Sequence, residues 1–164
     1  MKILRVQYQS EDLIKINNMK VNNQIPKVGK FLGIDYGSKR VGIAISDPLR
    51  IFASPYDTII VDSQNNLIKE IEKIIINEDI VYIVIGLPIG MNGKNTSQTN
   101  EVNDFIVKFK NNNKLPLSTI DERLTSIQAM KLLNDQGIKH SKNKSLIDST
   151  AASIILQTFL DSIK

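Results

Sequence analysis

Three acidic residues stand at positions where the surrounding sequence is apolar. Asp35 lies near the end of the apolar segment Phe31–Tyr36, and Glu122 closes the last segment that has the pattern of a strand. Asp148 shares one helical face with three apolar residues that follow it at helical spacing, Ala152, Ile155 and Phe159. A carboxylate buried without a partner is strongly destabilising, so each of these acids needs a cation or hydrogen-bond donors nearby.

Three carboxylates at one place would suit a divalent cation. When they are ionised and close together they repel one another, and Mg²⁺ or Mn²⁺, bound through carboxylate oxygens and water, removes that repulsion. Such a site supports phosphoryl chemistry, because the cation activates water, neutralises the phosphate and stabilises the leaving oxygen. The sequence therefore predicts that Asp35, Glu122 and Asp148 are catalytic residues and metal ligands, with their carboxylates within bridging reach of one another.

Each acid also has an ordinary structural explanation. Asp35 is typical of a turn that follows a strand. Glu122 could pair with Arg123, or it could lie at a helix N-terminus, where the helix dipole stabilises negative charge. Asp148 could point outwards near the start of its helix. The residues alone leave these alternatives open.

The first segment alternates with a period of two and places Phe31, Gly33 and Asp35 on one face of a strand, with Leu32, Ile34 and Tyr36 on the other. A turn at 37–40 joins this strand to a second one that ends at Ser46. A third strand fits around Ile51–Ile60, where Pro55 indicates an edge position or a bulge. These three strands are predicted to form an antiparallel meander.

Helical and extended patterns then alternate. The further elements are predicted as a helix from about Ser63 to Asn77 capped by Asp62 or Ser63, a buried strand at Ile80–Ile85, a loop at Gly86–Lys94, a helix around Val102–Phe109, a strand at Leu117–Glu122, a helix from Thr125 and a last helix at Ser145–Ile163. The order βββαβαβαα indicates an α/β fold with a mixed five-stranded sheet, three antiparallel strands and then two parallel ones, flanked by helices.

Composition excludes several classes of protein. The 164 residues include no cysteine, which excludes disulfides, thiolate metal sites and cysteine nucleophiles. No apolar run is long enough to span a bilayer and the N-terminus lacks a signal-peptide pattern, so a cytoplasmic protein is expected. The single histidine, His140, is expected to be a solvated surface residue. Residues 1–29 are predicted to be a weakly ordered extension, followed by one domain at 30–164.

The net charge of +4 permits an anionic partner without requiring one. Because the site acids repel phosphate, affinity for a nucleic acid must come from basic residues on predicted loops and turns near the acids. These residues are Lys39, Arg40, Lys94, Arg123, Lys139, Lys142 and Lys144. An exposed lysine is usually only solvated, but together these seven would form a basic rim around an acidic centre.

Four motifs occur in order along the chain. They are Gly33-Ile-Asp-Tyr-Gly-Ser-Lys-Arg-Val-Gly-Ile-Ala-Ile-Ser-Asp47, Gly86-Leu-Pro with Met91-Asn-Gly93, Asp121-Glu-Arg-Leu-Thr-Ser126, and Asp148-Ser-Thr-Ala-Ala152 with Ile155-Leu-Gln157. In this order they resemble the YqgF family of pre-16S rRNA nucleases, also described as Holliday junction resolvases. The resemblance covers residues 31 to about 161.

The resemblance implies a ribonuclease-H-like fold and metal-binding acids at Asp35, Glu122 and Asp148, with Mg²⁺ or Mn²⁺ as the cofactor. It implies maturation of the 5′ end of the small-subunit rRNA in the cytoplasm, with pre-rRNA as the partner and branched DNA as an alternative substrate. Residues 1–29 have no counterpart in the family pattern. Ser145 stands where related resolvases often carry a fourth acid, which leaves open whether one or two metals are bound.

Three functions are therefore compared. A metal-dependent nuclease uses all three acids. An ATP-binding protein of the actin and sugar-kinase type uses a similar Gly-Ile-Asp-x-Gly strand pair, but it needs two such domains, and 164 residues supply one. A non-catalytic nucleic-acid-binding module would not need every acid. Cleavage of RNA, binding of ATP and binding without cleavage distinguish the three.

Overall fold

The computed structural model describes residues 25–124 and 144–164, in which five strands form one mixed sheet. The strands are β1 (Lys30–Tyr36), β2 (Arg40–Ser46), β3 (Ala53–Ile60), β4 (Ile80–Leu87) and β5 (Leu117–Asp121). Their order across the sheet is β3-β2-β1-β4-β5, and β1 pairs antiparallel with β2 and parallel with β4. The predicted sheet, with three antiparallel strands followed by two parallel ones, is confirmed.

The described helices are α1 (Gln64–Asn77), α2 (Ser97–Asn112) and α3 (Lys144–Ser162). The side chain of Ser63 accepts a hydrogen bond from the backbone N–H of Asn66 and caps α1, as predicted. Thr96 and Thr99 form a capping box at the start of α2. The predicted helix from Thr125 lies outside the described residues. None of the described helices is both long enough and apolar enough to cross a membrane.

β3 is an outer strand, as Pro55 predicted. The register between β2 and β3 shifts between Ile43 and Ala44, whose partners are Asp57 and Pro55. Proline has no N–H to give to a ladder of hydrogen bonds, and an edge strand with an irregular register tolerates that loss.

β4 is longer than predicted. Gly86 and Leu87 continue the strand and pair with Ile120 and Asp121 of β5, so the prediction of a loop from Gly86 was wrong. Glycine and proline together had indicated a turn, but glycine keeps extended geometry here and the strand ends only before the proline. Glu122 follows β5 and begins a short 3₁₀ helix, Glu122–Leu124, instead of ending the strand.

The alternation along β1 divides the core between the two faces of the sheet, as predicted. Leu32, Ile34 and Tyr36 belong to the hydrophobic cluster that includes α1 and α2, whereas Phe31 belongs to the cluster that includes α3. The α3 residues in that second cluster include Ala152, Ile155 and Phe159. The helical face that carries Asp148 therefore packs on the sheet, on the side towards which the pleat turns Asp35.

Residues 25–29 lie against the turn between β2 and β3. The backbone N–H of Gly29 donates to the carbonyl oxygen of Pro48 at 3.3 Å, and the guanidinium of Arg50 donates to the carbonyl oxygens of Pro26 and Lys27. The predicted domain division at residue 29 stays a prediction, because residues 1–24 lie outside the described part of the chain.

Candidate active site

Asp35 lies in β1, between the two strands with which β1 pairs. Its Cα partner in β2 is Gly42, and the preceding residue, Ile34, pairs with Ile85 of β4. Burial of the carboxyl group, followed by the negative charge of Asp148, raises the pKa of Asp35 to about 6. A carboxyl group whose pKa is raised by both burial and a second acid is a candidate for function.

Glycines bring α3 close enough to place Asp148 beside Asp35. A Cβ atom added to Gly42 would lie 2.0 Å from the carbonyl oxygen of Asp148. One turn further along α3, a Cβ atom added to Gly33 would lie 2.9 Å from the carbonyl oxygen of Ala152. Any side chain at these two positions would push the helix away from the sheet. The first turns of α3 therefore lie directly on β2 and β1.

Glu122 approaches from the β4 side. A Cβ atom added to Gly86 would lie 2.5 Å from Oε1 of Glu122 and 2.6 Å from Cδ1 of Ile155. The Glu122 side chain therefore folds back over β4, next to α3. Its burial, followed by the charges of Asp35 and Asp121, raises the pKa of Glu122 to about 7.

Asp35 thus occupies the centre of the acidic group, with Asp148 above β2 and Glu122 above β4. The electrostatics agree with this arrangement. After burial, the charge of Asp148 raises the pKa of Asp35, and the charge of Asp35 raises the pKa of Glu122. Within residues 25–124 and 144–164, no group of three or more Asp, Glu, His or Cys side chains is arranged to hold a metal ion. The assignment of these three acids as a shared ligand set stays a prediction.

Asp148 is paired with a cation from β2. The Nε atom of Arg40 donates to Oδ2 of Asp148 at 2.6 Å, across 108 residues of sequence. The Asp148 side chain is 22% exposed and the Arg40 side chain is 40% exposed. Asp148 therefore points towards β2 and not outwards into water, and a positive charge already lies at the edge of the acidic group.

The other residues of the predicted basic rim differ in whether they form an ion pair. Nε of Arg123 donates to both carboxylate oxygens of Asp121, at 3.0 Å and 2.9 Å, so its ion pair is with Asp121 and not with Glu122. Lys39, Lys94 and Lys144 are exposed. Lys139 and Lys142 lie outside the described residues. The basic rim as a whole stays a prediction.

The donor set of the three acids fits a hard divalent cation. All the donors are carboxylate oxygens, which Mg²⁺ and Mn²⁺ prefer. Burial, and after it the neighbouring negative charges, raise the pKa values of both Asp35 and Glu122. A divalent cation would stabilise the ionised carboxylates against both the cost of burial and their mutual repulsion.

Gly42 and Gly86 were not identified as functional from the sequence, although they position two of the three acids. Both interrupt strands that are otherwise rich in β-branched residues. A glycine inside a strand often marks a place where another backbone or a ligand comes close. That signal was present in the sequence and could have located the path of α3.

Comparisons with known proteins agree on one family. A family model described as "RuvX: Holliday junction resolvase" matches residues 29–162. A protein of Endomicrobium trichonymphae named "Putative pre-16S rRNA nuclease" is 44% identical over 136 residues, which cover 82% of this chain and 96% of that protein. A protein of the same name from Maridesulfovibrio salexigens is 44% identical over 131 residues, covering 80% of this chain and 97% of that protein.

Solved structures with low sequence identity share the fold. RuvC of T. thermophilus in complex with a Holliday junction substrate superposes with a TM-score of 0.55 at 9% identity, covering 82% of this chain and 95% of RuvC. The yeast mitochondrial Holliday junction resolvase Ydc2 superposes with a TM-score of 0.55 at 11% identity, covering 93% of this chain and 85% of Ydc2. The ribonuclease-H-like fold implied by the sequence motifs is confirmed.

Proposed function

Since this chain belongs to the RuvX family, a family of nucleases, we propose that it hydrolyses phosphodiester bonds with Asp35, Glu122 and Asp148 as its catalytic residues. One observation supports this assignment above the others. Gly42 and Gly86 allow α3 and Glu122 to approach the sheet on either side of Asp35, and that approach concentrates negative charge around a carboxyl group whose pKa is raised by burial and by Asp148.

The three acids would hold one or two divalent cations, Mg²⁺ or Mn²⁺. When bound, the cation would supply an activated water molecule and would neutralise the charge of the scissile phosphate. Asp35, in the middle of the sheet, would anchor the site, while Glu122 would bring oxygen ligands from the 3₁₀ helix after β5 and Asp148 from α3. Asp35 lies within β1 and Glu122 directly follows β5, so the hydrogen-bonded sheet would hold both residues in position before substrate arrives.

We propose RNA as the substrate class, and specifically the 5′ end of precursor 16S rRNA in the cytoplasm. Support comes from the names of relatives that are 44% identical over nearly their whole length. Branched DNA is the alternative substrate, because the family model is described as a Holliday junction resolvase. The ATP-binding alternative has no such support, since the match to a nuclease family covers residues 29–162.

A cleavage assay on the full chain tests the proposal. Labelled RNA that carries the 5′ leader of 16S rRNA and a labelled four-way DNA junction are incubated separately with Mg²⁺, Mn²⁺ or EDTA. We expect cleavage of the RNA with either cation and none in EDTA. Cleavage of the junction alone would establish the DNA alternative. Binding of RNA without cleavage under every condition would refute the nuclease function.

A matched pair of variants connects the cleavage to the acidic group. Asp35→Asn removes the central charge, whereas Asp104→Asn removes an exposed charge from α2 on the opposite side of the sheet. We expect the first variant to be inactive and the second to cleave like the wild type. Equal loss of activity in both variants, or in neither, would contradict the assignment of Asp35.

A further inference from the structure

The ion pair between Arg40 and Asp148 joins a basic residue of the first hairpin to an acid of the proposed site. Its Nε–Oδ2 distance is 2.6 Å. To bind a phosphate, the Arg40 guanidinium would have to leave Asp148. If Asp148 bound a cation, the nearby guanidinium would be repelled by that cation. The pair therefore raises the question of what Arg40 does when the site is loaded.

The backbone of Arg40 is fixed. Arg40 is the first residue of β2 and pairs with Ile60 of β3, and the carbonyl oxygen of the preceding Lys39 accepts a hydrogen bond from Val61 at 3.0 Å. On the other side, the turn is so tight that a Cβ atom added to Gly37 would lie 2.5 Å from the Arg40 carbonyl oxygen. Any change at Arg40 must therefore come from its side chain, which is 40% exposed and has rotatable bonds along its stem.

The partner, Asp148, cannot follow a moving arginine. Its backbone lies against Gly42, and the residues next to it on α3, Ser149 and Thr150, are buried. Its position near Asp35 is therefore set by the packing of α3. A divalent cation attracted by the acidic group would compete with the guanidinium for the same carboxylate group, and two positive charges that close together repel each other.

We infer that Arg40 exchanges partners: it neutralises Asp148 when the site holds no divalent cation, and it moves to a phosphate group of the nucleic acid when a cation takes Asp148. This inference rests on the proposed nuclease function. The guanidinium is suited to both partners, because its planar fork binds carboxylate and phosphate oxygens with similar geometry. Arg40 would then be a positioning residue that couples loading of the cation to binding of the substrate.

The first test measures Mn²⁺ affinity without nucleic acid, by calorimetric titration of the full chain. Arg40→Met keeps the aliphatic stem and removes the competing charge, so we expect Mn²⁺ to bind about tenfold more tightly than to the wild type. Lys108→Met is the matched control, because it removes an exposed positive charge from α2, on the opposite side of the sheet, and should change the affinity by less than about twofold. Equal affinities of the two variants would overturn the inference.

The second test separates exchange from a permanent phosphate contact. Binding of a labelled RNA is measured by fluorescence anisotropy in EDTA and in Ca²⁺, which also binds through carboxylate oxygens. Arg40→Met should weaken RNA binding about tenfold in Ca²⁺ and by less than about twofold in EDTA. Arg40→Lys should recover part of the loss. The same loss in both solutions would mean that Arg40 contacts phosphate at all times and would overturn the exchange.

These results also separate the inference from the proposed function. If the wild type and Arg40→Met bind Mn²⁺ with the same affinity, the exchange fails while the metal-dependent nuclease stands. If neither protein binds Mn²⁺ at millimolar concentration, the proposed function fails and the exchange fails with it. Tight binding by Arg40→Met together with weak binding by the wild type would support the exchange most strongly.

Discussion

Asp35→Asn is expected to stabilise the cation-free protein while abolishing cleavage. The folded protein raises the pKa of Asp35 from 3.8 to about 6, so ionisation of this residue opposes folding at neutral pH. A pKa difference of one corresponds to about 1.4 kcal/mol, so ionisation of Asp35 would lower the free energy of unfolding by about 3 kcal/mol. An amide at this position still needs hydrogen-bond partners, so we expect a net gain of about 1–2 kcal/mol.

The sign of the pH dependence follows from the same shift. Because the folded state holds the Asp35 proton more tightly than the unfolded state does, the contribution of Asp35 to stability is fully present below about pH 4 and is lost as the pH rises through about 6. Asp35→Asn should remove this loss. It should also lower the pKa of Glu122, because the charge of Asp35 is one cause of its raised value.

Thermal melts in EDTA across this pH range measure the effect. At pH 8 we expect Asp35→Asn to melt about 3–6 °C above the wild type, and at pH 4 we expect the two to melt alike. Asp104→Asn, at an exposed position of α2, controls for the loss of one negative charge. A variant that melts below the wild type at pH 8, or that fails to fold, would show that Asp35 is a structural residue and would refute the reasoning.

Three further predictions concern other parts of the site. Gly42→Ala should destabilise the protein by more than about 2 kcal/mol in denaturant melts, because the new Cβ atom would lie 2.0 Å from the Asp148 carbonyl oxygen. The control Gly93→Ala should cost only about 1 kcal/mol, because Gly93 has a φ of +75° but open space around it. Glu122→Gln should abolish cleavage in the RNA assay and leave the fold intact, and an unfolded variant would contradict this. The triple change Lys139→Ala, Lys142→Ala and Lys144→Ala should weaken RNA binding and flatten its dependence on salt, and an unchanged salt slope would exclude these lysines from the substrate surface.

The fold could be predicted well where the pattern of side chains reflects local geometry. The two-residue alternation of β1 correctly assigned Phe31 and Leu32 to opposite faces of the sheet. Pro55 correctly indicated an edge strand, and Ser63 correctly indicated a helix cap. Each of these signals depends on backbone geometry within a few residues, so it can be read from the sequence directly.

The errors arise where distant parts of the chain meet. Gly86 was predicted to begin a loop because a proline follows it closely in the sequence. Its place in the strand depends on pairing with Ile120 of β5, 34 residues later. The pairing of Arg40 with Asp148 was not predicted either, because it depends on how α3 crosses β2. The sequence thus led to the prediction of three site acids, but it did not indicate that Gly42 and Gly86 allow α3 and Glu122 to approach the sheet, or that Arg40 pairs with Asp148.

The most direct test of the central claim is the anomalous scattering of Mn²⁺ in crystals of the full chain. We predict a Mn²⁺ peak bonded to Asp35 and to at least one of Glu122 and Asp148, and the loss of that peak in Asp35→Asn. Crystals that bind Mn²⁺ only elsewhere, or that show no Mn²⁺ at these three acids at saturating concentration, would contradict the claim that they form the catalytic centre of a metal-dependent nuclease.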